Sequence, residues 1–184
     1  MPSITHDFLS LLREDYTNYS IFVETGTYKA ETILAMEPFF EELHTIEIHE
    51  QFWYDAKQNY HGNKINFHWD DTEQFFPVLL PQLKHNTIFF LDAHWSGVDT
   101  GLGKQTVPLY EELNAINKYF TENAIIIIDD FRLFETQDWE YINKKKVLEC
   151  VIDRVEELYH LPSELDKRDR LILHIKGTCG SPQN

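Results

Sequence analysis

The sequence predicts an α/β fold with a mostly parallel sheet and helices on both faces. Thr87–Leu91 and Ala124–Ile128 are short, continuous apolar runs, which are typical of strands buried on both faces of such a sheet. Each run leads directly into an aspartate. Stretches with helical apolar spacing separate these and other short runs. Regular alternation of strands and helices indicates βαβ units joined by right-handed crossovers.

In the first half of the chain, each short apolar run is followed by a stretch with helical spacing. An N-terminal helix within residues 1–18 precedes the first strand. In order, the predicted elements are helix Thr5–Tyr16, strand Ile21–Val23, helix Tyr28–Met36, strand Leu43–Ile48, helix Glu50–Tyr60, strand Ile65–His68 and helix Thr72–Leu83.

In the second half of the chain, the alternation continues and then gives way to a hairpin. Pro108 suits the first turn of the helix after the fourth strand. The predicted elements are strand Thr87–Leu91, helix Val107–Phe120, strand Ala124–Ile128, helix Lys144–Leu158, and a hairpin of Tyr159–Leu161 with Leu171–Ile175. We expect one domain over residues 1–184, with a flexible tail at 177–184.

The charge balance narrows the classes of partner. With 31 acidic and 16 basic residues the formal net charge is -15, which disfavours binding to nucleic-acid backbones and to anionic membranes.

The sequence contains no apolar run of about 20 residues that could span a bilayer. The first residues lack the basic and apolar segments of an export signal, so a cytoplasmic location is expected. The two cysteines have no CxxC spacing, which indicates neither a disulfide framework nor a zinc site.

Acidic residues follow the fourth and fifth strands. Because parallel strands end at the same edge of a sheet, we expect Asp92, His94, Asp129 and Asp130 to converge there. Three carboxylates in one place require a compensating cation. Oxygen ligands suit a hard ion, so the pattern predicts a divalent metal in an enzyme.

The turn after the first strand, Glu24-Thr25-Gly26-Thr27, predicts a cofactor site that does not bind a dinucleotide. It holds one glycine where a dinucleotide fold carries G-x-G-x-x-G, and Glu24 would repel a pyrophosphate. A carboxylate there suits the amino group of S-adenosylmethionine. Glu47 is placed to hold a ribose diol, and Asp70 or Asp71 to accept the adenine amine. The alternative explanation for each of these acidic residues is that it stabilises the N-terminus of the helix that follows the strand.

These pieces, in this order, resemble class I S-adenosylmethionine-dependent methyltransferases. They are most similar to the metal-dependent sugar O-methyltransferases of the macrocin and novobiocin type. The matching segments are Phe22–Thr27, Thr45–Glu47, His68–Asp71, Phe90–Gly97, Pro108–Leu113 and Ile127–Phe131. The resemblance implies a Rossmann-like fold of five parallel strands followed by an antiparallel hairpin. It also implies Mg²⁺ bound by Asp92, Asp129 and Asp130, with His94 at the position of the general base, where the family commonly has an aspartate.

The expected reaction is methyl transfer to a hydroxyl group of a small acceptor. The resemblance implies that this hydroxyl belongs to a sugar. Metal coordination favours loss of the hydroxyl proton, which His94 would accept with Asp92 beside it. The Gly-containing segment from Trp95 to Thr106 is predicted to be a lid that recognises the acceptor. Trp95 either stacks on the acceptor or covers the core, and Lys104 is either a further contact or, as the simpler interpretation has it, a solvated loop charge.

Several alternatives remain open at this point. His94 is a general base, a structural residue or a fourth metal ligand, and in the last case the ion shifts toward Mn²⁺ or Fe²⁺. The protein itself is alternatively a metal-dependent hydrolase or a non-catalytic relative that binds cofactor. A homo-oligomer is also left open.

Overall fold

A computed structural model describes residues 2–92 and 107–178. Seven strands form one sheet in the order β3-β2-β1-β4-β5-β7-β6. The strands are β1 Ile21–Thr25, β2 Glu42–Glu47, β3 Ile65–Trp69, β4 Thr87–Leu91, β5 Ala124–Ile128, β6 Val155–Leu161 and β7 Arg170–Ile175. The α-helices are α1 His6–Leu9, α2 Glu31–Met36, α3 Glu50–Asn59, α4 Thr72–Leu79, α5 Leu109–Tyr119 and α6 Lys144–Glu149.

The predicted topology is confirmed. Strands β1 to β5 pair in parallel, and β7 pairs antiparallel with both β5 and β6. The register aligns Thr25 with Leu91, and Leu91 with Ile128. The first strand, the fourth and the fifth therefore end level with one another, and the residues that follow them share one edge of the sheet.

The apolar run of β5 is continuous because both of its faces are covered. Ile126 and Ile128 pack with the cluster that contains helix α5, whereas Ile125 and Ile127 pack with the cluster that contains α1 and α2. All four side chains are fully buried. Since successive strand residues point to opposite faces, a strand between two helical layers needs apolar residues at every position.

Two predicted helices are wrong in length by eight residues or more. The N-terminal helix is only His6–Leu9, and a separate 3-10 turn follows at Tyr16–Asn18, where Asp15 is the N-cap and accepts the Thr17 amide. The helix predicted over Lys144–Leu158 ends at Glu149, and Val155–Leu161 is strand β6. The apolar spacing of this segment fits a helix, but pairing with β7 fixes its second half as a strand.

Part of the predicted C-terminal tail is held in place. The Gly177 amide donates to Asn123 Oδ1 at 2.7 Å, and the Thr178 amide donates to the Thr121 carbonyl at 2.9 Å. Residues 179–184 lie outside the described part of the chain. Within the described residues, none of the helices combines the length and the apolar character that crossing a membrane requires.

Candidate functional site

The turn between β1 and α2 adopts a left-handed backbone at every second residue. Gly26 has φ 82°, Tyr28 has φ 45° and Ala30 has φ 60°. Only the first of these is a glycine, so the other two carry a steric cost of roughly 1–2 kcal/mol each. The chain therefore keeps a glycine-type turn geometry with side chains at two of its three left-handed positions.

Glu47, at the end of β2, stabilises this strained turn. Its Oε2 accepts the Tyr28 amide at 2.8 Å, and its Oε1 accepts the His49 amide at 2.8 Å. The side chain is buried, and each carboxylate oxygen has a further lone pair available. Glu47 thus positions the turn, and its predicted role toward a ribose diol stays a prediction.

Glu24, the last residue but one of β1, is a buried carboxyl group with a high pKa. The Thr45 hydroxyl donates to Glu24 Oε2 at 2.8 Å and accepts from the Thr27 hydroxyl at 2.6 Å. Burial raises the pKa of Glu24 well above its usual range, and the charges of Asp92 and Glu47 raise it further. In the described part of the chain no basic side chain pairs with Glu24. A cation placed beside it would favour the ionised form.

An open cleft of about 350 Å³, solvent included, lies along this turn. Three of its lining side chains are acidic and one is a lysine. The lining consists of Ser3, Glu24, Gly26, Thr27, Tyr28, Lys29, Glu31, Thr32 and Asp92. This excess of carboxylates in a concave site favours a ligand that carries positive charge.

The acids after β3 have local structural partners. Asp71 is the N-cap of α4 and accepts the Glu73 amide at 3.1 Å, while Asp70 accepts the Asp71 amide at 2.8 Å. Asp70 is exposed at the end of the strand. Helix capping therefore explains Asp71 on its own, and binding of an adenine amine by either residue stays a prediction.

Thr25 lies on the other face of the sheet and joins β1 to β4. Its hydroxyl accepts the Asp92 amide at 3.3 Å. The carboxyl group of Glu112, on α5, faces the hydroxyls of Thr25 and Thr72, which lower its pKa. Burial outweighs this effect and raises the pKa to about 8, and Glu112 Oε1 has no hydrogen-bond partner among the described residues. The sequence motif contains Glu112, but its spacing gives no sign of this burial.

Glu112 makes a testable contribution to the pH dependence of stability. The folded protein keeps the Glu112 proton up to about pH 8, whereas the unfolded chain releases it near pH 4.5. The folded state therefore binds more protons between these values, and the free energy of unfolding falls as pH rises. We expect a loss on the order of 3 kcal/mol between pH 5 and pH 8, measured by urea unfolding.

The matched variant for this measurement is Glu112→Gln, which cannot ionise and keeps the volume of the side chain. It should flatten the decline of stability with pH. A decline as steep in Glu112→Gln as in the wild type would contradict the assignment to Glu112.

The acids after β5 meet two arginines. Ligand oxygens of Asp129, Asp130 and Asp169 lie within 4.8 Å of one another, and Asp169 precedes β7. Arg132 pairs with Asp130 and, at 2.6 Å, with Asp169. Arg170 Nε lies 3.2 Å from Asp129 Oδ1. The compensating cations that the sequence pattern requires are therefore supplied in part by the chain itself.

The charge of Asp92 acts on the carboxyl group of Asp129. Burial raises the pKa of Asp129, the charge of Asp92 raises it further, and Arg170 opposes both effects. Asp92 and Asp129 are therefore close enough for their charges to interact, whereas Asp130 pairs with Arg132.

The structure brings most of the predicted residues to one edge of the sheet. Glu24, Gly26, Thr27 and Asp92 line one cleft, and Asp129 lies beside Asp92. His94, Trp95 and Lys104 lie outside the described residues, so their predicted roles stay predictions. Asp169 and Arg170 were missed because they follow a hairpin loop far along the sequence, where no local pattern relates them to Asp129.

Solved structures with the same topology are numerous. TomG, an O-methyltransferase from Streptomyces achromogenes involved in tomaymycin synthesis and solved with S-adenosylmethionine, aligns with TM-score 0.63 and 13% identity over 88% of this chain and 74% of its own. SMU.1697c of Streptococcus mutans, solved with S-adenosylhomocysteine, aligns with TM-score 0.60 and 14% identity over 93% and 94%. This chain has the fold of class I S-adenosylmethionine-dependent methyltransferases.

A third structure shows the range of this methyltransferase fold. The N-methyltransferase NodS from Bradyrhizobium japonicum aligns with TM-score 0.57 and 10% identity over 86% of each chain. No protein-family model and no curated protein sequence matches this chain. This chain therefore shares its fold with these three proteins at 10% to 14% sequence identity.

Proposed function

We propose that this protein is an S-adenosylmethionine-dependent methyltransferase that methylates a hydroxyl of a small acceptor with the help of Mg²⁺. The observation that carries the proposal is the buried Glu24 carboxyl, which lines the cleft beside a left-handed turn and has no basic partner in the described chain. A cationic ligand is what this environment favours, and S-adenosylmethionine carries both an ammonium and a sulfonium group. The methyltransferase fold supports the same conclusion.

The residues of the cleft fit this cofactor in charge and in position. Glu24 would hold its positive ammonium group, while Glu47 keeps the Tyr28 amide and the turn in place. Asp70 or Asp71 would accept the adenine amine. Bound in this way, S-adenosylmethionine supplies an activated methyl group, so the protein contributes mainly orientation and electrostatics.

Asp92 and Asp129 would hold the divalent cation, which supplies positive charge where the acceptor loses its proton. Asp130 is the weakest of the predicted ligands because Arg132 already pairs with it. An imidazole nitrogen of His94 would accept the acceptor proton near neutral pH. A cytoplasmic small-molecule acceptor, such as a sugar with a free hydroxyl, is the substrate class that we propose.

The proposal is tested by calorimetry with S-adenosylhomocysteine and, separately, with Mg²⁺. The wild type should bind S-adenosylhomocysteine with micromolar affinity and should give a Mg²⁺ binding signal that EDTA abolishes. Asp129→Asn should lose the Mg²⁺ signal because it removes a charged oxygen ligand. Asp153→Asn, which changes an exposed acid outside the site, is the matched control and should retain both signals.

The two measurements separate the two parts of the proposal. Absence of S-adenosylhomocysteine binding in the wild type would overturn the methyltransferase assignment. Binding of S-adenosylhomocysteine without any Mg²⁺ signal would overturn the metal dependence alone and would direct an acceptor screen to metal-free conditions.

A further inference from the structure

The N-terminal segment, defined here as residues 2–9, borders the cleft through Ser3. The Ser3 amide donates to Thr32 Oγ1 at 2.9 Å, and the Ser3 hydroxyl lies 3.4 Å from Asp92 Oδ2. Ser3 is itself a lining residue of the cleft. Ile4 and Leu9, which follow it, are almost fully buried and anchor the segment to the core. The cleft is therefore bounded by a segment distant in sequence from its other walls.

Arg170, the first residue of β7, connects this wall to the acidic edge of the sheet. Its guanidinium donates through Nη2 to the Ser3 carbonyl and through Nη1 to the Pro162 carbonyl at 3.0 Å. Nε faces Asp129 Oδ1 at 3.2 Å, and the group lies 4.9 Å from the centre of the Phe8 ring. One nearly buried side chain thus contacts the N-terminal segment, the hairpin loop and a candidate site carboxylate.

Charge balance alone does not explain this arrangement. Arg132 also compensates carboxylates at the same edge, through Asp130 and Asp169. None of its contacts within the described residues reaches the N-terminal segment. Comparing the two arginines therefore distinguishes neutralisation of the aspartates from attachment of the N-terminal segment. Both arginines pair with aspartates, but only Arg170 also donates to the Ser3 carbonyl.

We propose that Arg170 is a positioning residue that fixes the N-terminal segment against the cleft and so completes the cofactor-binding wall at Ser3. The planar guanidinium can reach the Ser3 carbonyl, the Pro162 carbonyl and Asp129 together, which a lysine ammonium cannot do. Thr32 provides the second attachment of Ser3. The proposal rests on the proposed cofactor role of the cleft.

The test combines amide hydrogen exchange with S-adenosylhomocysteine affinity for three variants. Arg170→Lys keeps a positive charge for Asp129 but loses the attachment to Ser3, so exchange in residues 2–12 should rise about tenfold and affinity should fall about tenfold. Thr32→Val removes the acceptor for the Ser3 amide without changing Arg170, and should shift both readouts in the same direction. Arg132→Lys is the matched control and should leave exchange in residues 2–12 unchanged.

Each outcome decides the proposal. Unchanged exchange in residues 2–12 of both Arg170→Lys and Thr32→Val would overturn it, as would an equal increase in Arg132→Lys. Raised exchange without weaker binding of S-adenosylhomocysteine would overturn the role in the cofactor wall. The exchange experiment needs no ligand, so it stays informative if the wild type fails to bind S-adenosylhomocysteine, a result that would count against the proposed function instead.

Discussion

Glu47→Ala is expected to weaken S-adenosylhomocysteine binding by at least about 100-fold, because it removes the predicted ribose contact together with the support of the turn beside the proposed cofactor cleft. The carboxylate accepts the amides of Tyr28 and His49, each at 2.8 Å. Tyr28 has a left-handed backbone that a tyrosine adopts only when its surroundings impose it. Alanine at position 47 would leave two amides without their acceptor and would release the turn. Calorimetric titration measures the effect.

Glu47→Gln separates support of the turn from mere side-chain volume. Its amide has one oxygen acceptor, so an NH₂ group would face one of the two backbone amides, and we expect a loss of about 10-fold to 100-fold. Asp153→Asn, at an exposed acid outside the site, is the control and should leave the affinity unchanged. A Glu47→Ala variant that is folded and binds as tightly as the wild type would refute the role of Glu47.

The strands were predictable from the sequence because burial on two faces leaves a simple signature. Thr87–Leu91 and Ala124–Ile128 have the same bounds in the sequence pattern and in the structure. Where a segment is covered on one side only, two periodicities compete. The spacing of Val151, Val155 and Leu158 suits a helix, yet the last two belong to β6 at the edge of the sheet.

The candidate site was predictable where it depends on strand ends and not where it depends on long-range folding. Parallel register places Asp92 beside Asp129 directly from the order of the strands. Arg170 reaches the same place from an antiparallel strand, which no local pattern specifies. The left-handed backbone at Ala30 has no sequence signal either, since alanine ordinarily avoids it.

Arg154→Ala is expected to lower the free energy of unfolding by about 4 kcal/mol. The guanidinium is nearly buried and donates to four carbonyls, those of Ile116, Phe120, Glu122 and Lys176, at 2.8 to 3.2 Å. Two of these carbonyls lie at the C-terminal end of α5, where a positive charge also interacts favourably with the helix dipole. Burial lowers the pKa of Arg154. Removing the side chain would leave buried acceptors without donors, the most costly kind of hydrogen-bond loss.

Urea unfolding with a fixed slope measures this loss, and two further variants show its origin. Arg154→Lys keeps the charge but concentrates its donors on one nitrogen that cannot reach four carbonyls, so about half of the loss should remain. Arg168→Ala, at an exposed position of the hairpin loop, should change the free energy by less than about 0.5 kcal/mol. A loss below about 1 kcal/mol in Arg154→Ala would mean that water replaces the guanidinium at these carbonyls. If Arg154→Lys lowers the free energy of unfolding as much as Arg154→Ala does, the planar donor geometry, and not the charge, joins α5 to the end of β7.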